Sequence, residues 1–386
     1  MKRFVFVVPP LVGHVNPTVS VGQALLARGH EVVWVGHPRR VAPLLPKGAR
    51  LFALDDGISD EVWRPVLERS RTVRGLESLQ FLWEEVLVPL ARGMLPGVRQ
   101  ALATLAPDVV VADQQAIAGA LAARERGLPW ATFCTTSATV VDPLADLPRV
   151  KAWVASALAS LEREAGLPPS ETPDLSPHLV VVFSTRALLG ETCVVPPHYR
   201  FVGPAAAERP EEPGFPWDRL GEGPRVFVSL GTVSADGADA FYNTLVDALR
   251  DEPVQVIVAA PPERIPNPPP NFLVAARVPQ VALLKRVDAV VCHAGHNTVC
   301  EALAEGLPLV VAPIRDDQPV IAGQVVNAGC GVRLKYGRLR PDALRDAVRR
   351  ALHEPALRAS AARLRASFAA AGGAAAAASH LEAFSC

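Results

Sequence analysis

Residues 287–312 read VDAVVCHAGHNTVCEALAEGLPLVVA, and this one stretch sets the architecture. The runs 287–292 and 307–312 are mostly apolar at successive positions. A run without alternation is the pattern of a strand covered on both faces, as in parallel sheets. Between them, 296–305 is amphipathic at helical spacing. Strand, helix and strand therefore follow one another directly.

The same alternation continues outward. Val-rich runs lie at 4–8, 31–35, 108–112, 179–183, 225–230 and 254–259, and amphipathic stretches at 17–28, 115–126, 238–250 and 341–353. This order predicts a doubly wound α/β architecture. The runs form two series, one over 1–204 and one over 224–365. Residues 205–223 open with the polar, Pro-bearing AAAERPEEP and read as a linker. The full length of 386 residues suits two domains. Residues 55–97 lack clean strand signals and are expected to be helical and irregular. The Ala-rich tail reads either as a helix packed on the body or as a frayed end. Two doubly wound domains leave a cleft, and ligands bind beyond the carboxyl ends of such strands. Polar residues just after each run are thus the functional candidates.

Composition narrows the partners. Lys plus Arg and Asp plus Glu are both 39, so there is no basic excess for nucleic acid or an anionic membrane. The six cysteines form no C-x-x-C pair and no zinc spacing, so no metal site is expected. The apolar start stops at Pro9-Pro10, too short for a signal peptide. A cytoplasmic protein is expected, as a monomer or homodimer.

Six loops carry candidate chemistry. After run 4–8, His14 sits in Gly13-His14-Val15-Asn16-Pro17, with no G-x-G-x-x-G fingerprint. Asn16 is expected to cap the next helix, with Pro17 in its first turn. His14 is either a polar loop residue or a general base, since imidazole titrates near neutrality. After run 108–112, Asp113 is either a helix cap or the group that orients an imidazole. Gly231-Thr232, after run 225–230, allow close backbone approach and a hydroxyl contact. His293-Ala294-Gly295-His296-Asn297-Thr298 opens a helix, where free N–H groups and the dipole favour a diphosphate. Glu301, four residues beyond Asn297, suits ribose hydroxyls. Asp317-Gln318 suit sugar hydroxyls, although helix capping is the plainer explanation of the acid. Arg277, in the loop with Val278 and Gln280, offers a planar guanidinium to a base.

Taken together, these residues resemble the GT-B glycosyltransferases, in the family that holds plant and mammalian UDP-glycosyltransferases and bacterial natural-product glycosyltransferases. The strongest part runs RVPQ (277–280), HAGHNTVCEALAEGLP (293–308), DDQ (316–318); GHVNP (13–17), VSLGT (228–232) and FVGP (201–204) support it. The resemblance implies two Rossmann-like domains facing a cleft, the first for the acceptor and the second for the nucleotide-sugar. It implies a last helix, about 366–386, returning to the first domain. His14 is then the catalytic base and Asp113 its partner. Thr232, His293, Asn297 and Thr298 hold the diphosphate, with Gly231 and Gly295 beside them. Glu301 takes the ribose, and Asp317 and Gln318 the donor sugar. Arg277 stands where many members place an aromatic ring against the base. Val278 stands where backbone contacts occur, with Gln280 in the same loop. His296 replaces a tryptophan of the plant motif.

The activity implied is an inverting, metal-independent transfer of a hexose from a UDP-sugar, or a dTDP-sugar, to a small apolar natural-product acceptor. No separate cofactor is expected. The rival readings are a sugar-nucleotide epimerase of the same fold, which needs no acceptor, and a non-catalytic nucleotide-binding partner of another transferase.

Overall fold

Thirteen strands, counted among the described residues, form two wholly parallel sheets. The computed structural model describes residues 1–386 apart from 56–59, 71, 74, 143, 191–192, 206–213, 232–237 and 385–386. Most of the 205–213 stretch read as linker lies outside the described residues.

The first sheet holds β1 (Arg3–Val7), β2 (Glu31–Gly36), β3 (Arg50–Ala53), β4 (Val109–Asp113), β5 (Trp130–Cys134), β6 (Val180–Val182) and β7 (Tyr199–Phe201). Their order is β3-β2-β1-β4-β5-β6-β7. The second holds β8 (Arg225–Ser229), β9 (Gln255–Ala259), β10 (Phe272–Ala275), β11 (Ala289–Cys292), β12 (Leu309–Val311) and β13 (Gly331–Arg333), in the order β10-β9-β8-β11-β12-β13. In both sheets the order reverses beside the first strand, between β1 and β4 and between β8 and β11. That switch point is where doubly wound sheets open a crevice for a ligand.

Side chains alternate across each sheet. Val5, Val7, Val33 and Val35 pack with Leu90, Met94 and Val98 on one face of the first sheet. Phe4, Phe6, Val8 and Trp34 pack with Val15, Val21 and Leu25 on the other. Burial on both faces is why these strands read as unbroken apolar runs. In the second sheet Val226, Val228, Val256 and Val258 pack against Phe241, Leu245, Leu344 and Val348. Residues 55–97 contain helices and, among the described residues, no strand.

The chain divides into two compact units. One is Met1–Thr185 with Cys193–Ala207 and Ala371–Cys386; the other is Arg186–Thr192 with Glu208–Ala370. The tail helix Gly373–Phe384 belongs to the first unit and is packed, not frayed. Its Ala377, Ala378 and Leu381 are fully buried beside helix Val12–Ala27. Glu382 accepts from Arg28 and pairs with His30 Nε2 at 2.8 Å. Gly372 and Gly373, both at positive φ (83° and 54°), turn the chain into this helix.

One local expectation is corrected. The first helix starts at Val12, because the Leu11 carbonyl accepts from both His14 and Val15 N–H at 3.0 Å. Asn16 therefore lies inside the helix and is not its cap. Pro17 is also internal, which forgoes the backbone bond to Gly13. His14 consequently sits on the first helical turn, not on a loop.

Candidate functional site: two strand-end clusters

In the first unit, neighbouring strands β1, β4 and β5 deliver three polar side chains at their carboxyl ends. His14 follows β1, Asp113 ends β4, and Thr135 follows β5. His14 Nδ1 is 2.9 Å from Asp113 Oδ1. The Thr135 hydroxyl donates to Asp113 Oδ2 at 2.8 Å and lies 2.7 Å from His14 Nδ1. Gln115 N–H donates to Asp113 Oδ1 at 2.8 Å. The Asp113 side chain is 0% exposed and that of His14 15%. The carboxylate is thus sealed in and the imidazole keeps a face to solvent. Of the two roles considered for it, Asp113 takes the one beside His14: the N-cap of helix Ile117–Glu125 is Ala116, with no side-chain cap bond, and Asp113 only closes the preceding turn through Gln115. The geometry is that of an oriented general base.

Sequence reading missed Thr135. Its signal is positional: it follows a strand that neighbours β4, but a single Thr in CTTSAT has no motif to flag it. Of the aromatics in the first unit, Phe133 is fully buried between Phe6 and Phe183 and is a packing residue. Phe81 is nearly buried, and Trp63 and Trp83 pack against the core.

In the second unit, neighbouring strands β8, β11 and β12 do the corresponding work. His293 follows β11, and its ring lies in a gap kept open by two glycines. A Cβ on Gly231 would stand 2.6 Å from His293 Cε1, and one on Gly295 would stand 2.5 Å from Nε2. Each turn carries one left-handed residue: Gly231 (φ 72°), Ala294 (φ 65°) and Asp316 (φ 55°). For Ala294 and Asp316 that conformation costs roughly 1–2 kcal/mol each, a strain typical of functional turns. Thr232 lies outside the described residues.

Helix His296–Ala304 starts directly behind this gap, with Gly295 as its N-cap. A glycine cap brings no side chain of its own to this helix start, and a helix start is the kind of place that suits an anion. His296 is buried, with Nε2 3.5 Å from Cys300 Sγ. Asn297 is half-buried and Thr298 buried. Glu301 is buried and accepts from Gln280 Nε2 at 2.6 Å, so the first residue of helix Gln280–Leu284 orients it. The Gln280 amide closes a turn on the Val278 carbonyl at 2.8 Å, and Arg277 is exposed.

Beyond β12, Asp317 is the N-cap of helix Gln318–Asn327. Gln318 Oε1 accepts from the amides of Ile314 (2.8 Å) and Arg315 (3.1 Å), which leaves its NH2 as the end to offer a ligand. Arg315 was not foreseen. It is buried, with Nε 3.5 Å from Asp316 Oδ2. Burial pushes the His293 imidazole down to about 4, against a backbone hydrogen bond at Ser229 and with help from the Arg315 charge. His293 is therefore neutral at neutral pH. Its Nδ1 is buried and has no hydrogen-bond partner among the described residues.

Comparison with known proteins gives the family. The chain is 32% identical over 400 residues to the 4'-demethylrebeccamycin synthase of Lentzea aerocolonigenes, covering 93% of each. It belongs to the GT-B glycosyltransferase family that includes the bacterial natural-product enzymes. Residues 243–384 of this glycosyltransferase match the family described as erythromycin biosynthesis protein CIII-like, C-terminal domain. It is 28% identical over 388 residues to the NDP-glycosyltransferase YjiC of Bacillus subtilis (strain 168), covering 97% of this chain and 95% of that one. Among solved structures it is similar to the glycotransferase of kitacinnamycin, with a TM-score of 0.80, 27% identity and 99% of each chain covered. Among the described residues of the glycosyltransferase, no group of three or more His, Cys, Asp and Glu is placed to hold a metal. Nor is any helix long and apolar enough to cross a membrane.

Proposed function

We propose that this glycosyltransferase moves a hexose, with inversion, from a nucleoside-diphosphate sugar to a hydroxyl of a small, largely apolar natural product. The observation that carries the reading is the His14–Asp113 pair at 2.9 Å, with the carboxylate sealed and the imidazole reaching solvent. The relatives' names, a synthase of a rebeccamycin-type product and an NDP-glycosyltransferase, point the same way for donor and acceptor class.

In this mechanism His14 Nε2 takes the proton of the acceptor hydroxyl. The oxygen attacks the anomeric carbon from the side opposite the leaving group. The bond from that carbon to the phosphate oxygen breaks, and the nucleoside diphosphate departs. Asp113 stabilises the imidazolium that forms. Charge growing on the phosphate is met by the first amides of helix His296–Ala304, with His293, Asn297, Thr298 and Thr232. Glu301 accepts from ribose hydroxyls. Asp317 accepts from a sugar hydroxyl, and the Gln318 NH2 donates to one. UDP is the preferred nucleotide, because a ribose gives the Glu301 carboxylate two hydroxyls and the deoxyribose of dTDP gives one. With these donors around the phosphates, the reaction runs without a metal.

The test is thermal unfolding with UDP- and dTDP-sugars in the presence of a chelator, followed by product analysis with an apolar phenol or alcohol acceptor. A donor at 100 times its Kd adds about 2.7 kcal/mol to stability. A clear rise in Tm with a UDP-sugar, and a glycoside of inverted configuration, are expected. No stabilisation by any nucleotide sinks the reading. Interconversion of the sugar nucleotide without acceptor would make the protein an epimerase.

A further inference from the structure

We propose that Thr135 is a positioning residue, one that holds His14 in the tautomer transfer requires. This rests on the role proposed above for His14. The argument is a count of protons. A neutral imidazole has one N–H to place. Its Nδ1 faces two oxygens, Asp113 Oδ1 at 2.9 Å and Thr135 Oγ1 at 2.7 Å. An ionised carboxylate has no proton to give. The Thr135 hydroxyl has one, and Asp113 Oδ2 at 2.8 Å takes it, since a bond to a charged acceptor is the stronger. Both neighbours of Nδ1 therefore present lone pairs, and the hydrogen sits on Nδ1. Nε2 is left with the lone pair that removes the acceptor's proton.

Asp113 alone does this less well. Its Oδ1 is shared with the Gln115 amide at 2.8 Å, so His14 has only part of that oxygen. Its Oδ2 is buried, with Thr135 as a donor; a sealed carboxylate oxygen left without one is costly, and the group turns to relieve it. Thr135 thus fixes the carboxylate from behind and adds a second acceptor in front of Nδ1. When His14 is protonated in the reaction, both acceptors face the new charge.

Thr135→Val keeps the shape and deletes the hydroxyl. We expect kcat to fall about tenfold, with donor and acceptor KM within about twofold, and Thr135→Ser to restore kcat to within about threefold. The decisive readout needs no turnover. In protein with 15N-labelled histidine, the His14 signals, identified by their loss in His14→Ala, should report Nδ1–H in the parent and a mixture of tautomers in Thr135→Val. Should Thr135→Val not fold, Thr135→Ala removes the same two bonds and replaces it. An unchanged tautomer with unchanged kcat overturns the proposal. A raised KM with an unchanged tautomer overturns it too, and makes Thr135 a substrate contact. If instead the parent transfers no sugar, or His14→Ala transfers as well as the parent, the functional reading fails, and the tautomer measurement still decides the role of Thr135.

Discussion

The two strand-end clusters are built on the same topology and solve opposite problems. At β1, β4 and β5 the polar atoms satisfy one another: Asp113 accepts from His14, Thr135 and the Gln115 amide. At β8, β11 and β12 His293 Nδ1 is buried with no hydrogen-bond partner among the described residues, helix His296–Ala304 starts at a glycine, and Ala294 and Asp316 hold left-handed backbone. A general base has to be aimed before substrate arrives, so its neighbours complete it. An anion site, the role proposed for the second cluster, gains from a polar atom such as His293 Nδ1 that other groups leave unpaired. On the roles proposed above, the difference separates a cluster for chemistry from a cluster for binding, and substitutions should separate them likewise.

The largest effect is expected at the satisfied cluster. His14→Ala should lower transfer by roughly 10²–10⁴-fold, the usual worth of a general base. Nucleotide affinity, read by calorimetry, should stay as it was. Asp113→Asn should lower kcat less, again with donor binding kept. A His14→Ala enzyme that turns over an ordinary hydroxyl acceptor at the parent rate would break the comparison. So would loss of nucleotide binding in that variant.

A smaller effect, of opposite kind, is expected at the second cluster. Gly295→Ala places a methyl where a Cβ would lie 2.5 Å from His293 Nε2. The ring has to move out of its gap beside the helix start. Nucleotide Kd should rise roughly 10–100-fold, the worth of one hydrogen bond to a charged group. The reactivity of His14 should be unaffected. An Ala variant that binds nucleotide as the parent does would show that the gap has no part in gripping it.

The two clusters were also unequally legible. The eight runs picked out by their Val content are eight of the nine interior strands and include no sheet edge. The strands not picked out include all four edges, β3, β7, β10 and β13, and one interior strand, β5. Edge strands here are short and partly exposed, as in Arg50–Ala53 and Tyr199–Phe201, so they lack the double-sided burial that makes a run conspicuous. β5 is fully buried, but WATFC breaks its apolar run with Thr132. Thr135 hangs from that same strand and was missed with it. The 293–318 stretch could be read because its residues are contiguous around one strand–helix–strand unit. The His14–Asp113–Thr135 group is assembled across more than a hundred residues, and only the sheet order brings its members together. Ala294 and Asp316 gave no warning of left-handed backbone, because neither is the glycine that such a turn favours.

The smallest effect, on stability, sharpens the contrast through pH. Unfolded histidine titrates near 6.5, and burial holds His293 down at about 4. Between those values the unfolded chain binds a proton that the native ring refuses. Native stability is therefore intact above about pH 6.5 and falls as pH drops toward 4, by at most about 3 kcal/mol for this group. His198 and His380 are lowered by burial as well and slope the same way, so the parent curve alone does not isolate His293. The difference between the parent and His293→Asn does. Urea midpoints measured from pH 7 to pH 4 should converge or cross, the variant losing less on acidification. Added nucleoside diphosphate should flatten the parent curve, because a phosphate beside the ring favours its protonated form. Parallel curves for parent and variant would mean that His293 is not held neutral by its surroundings.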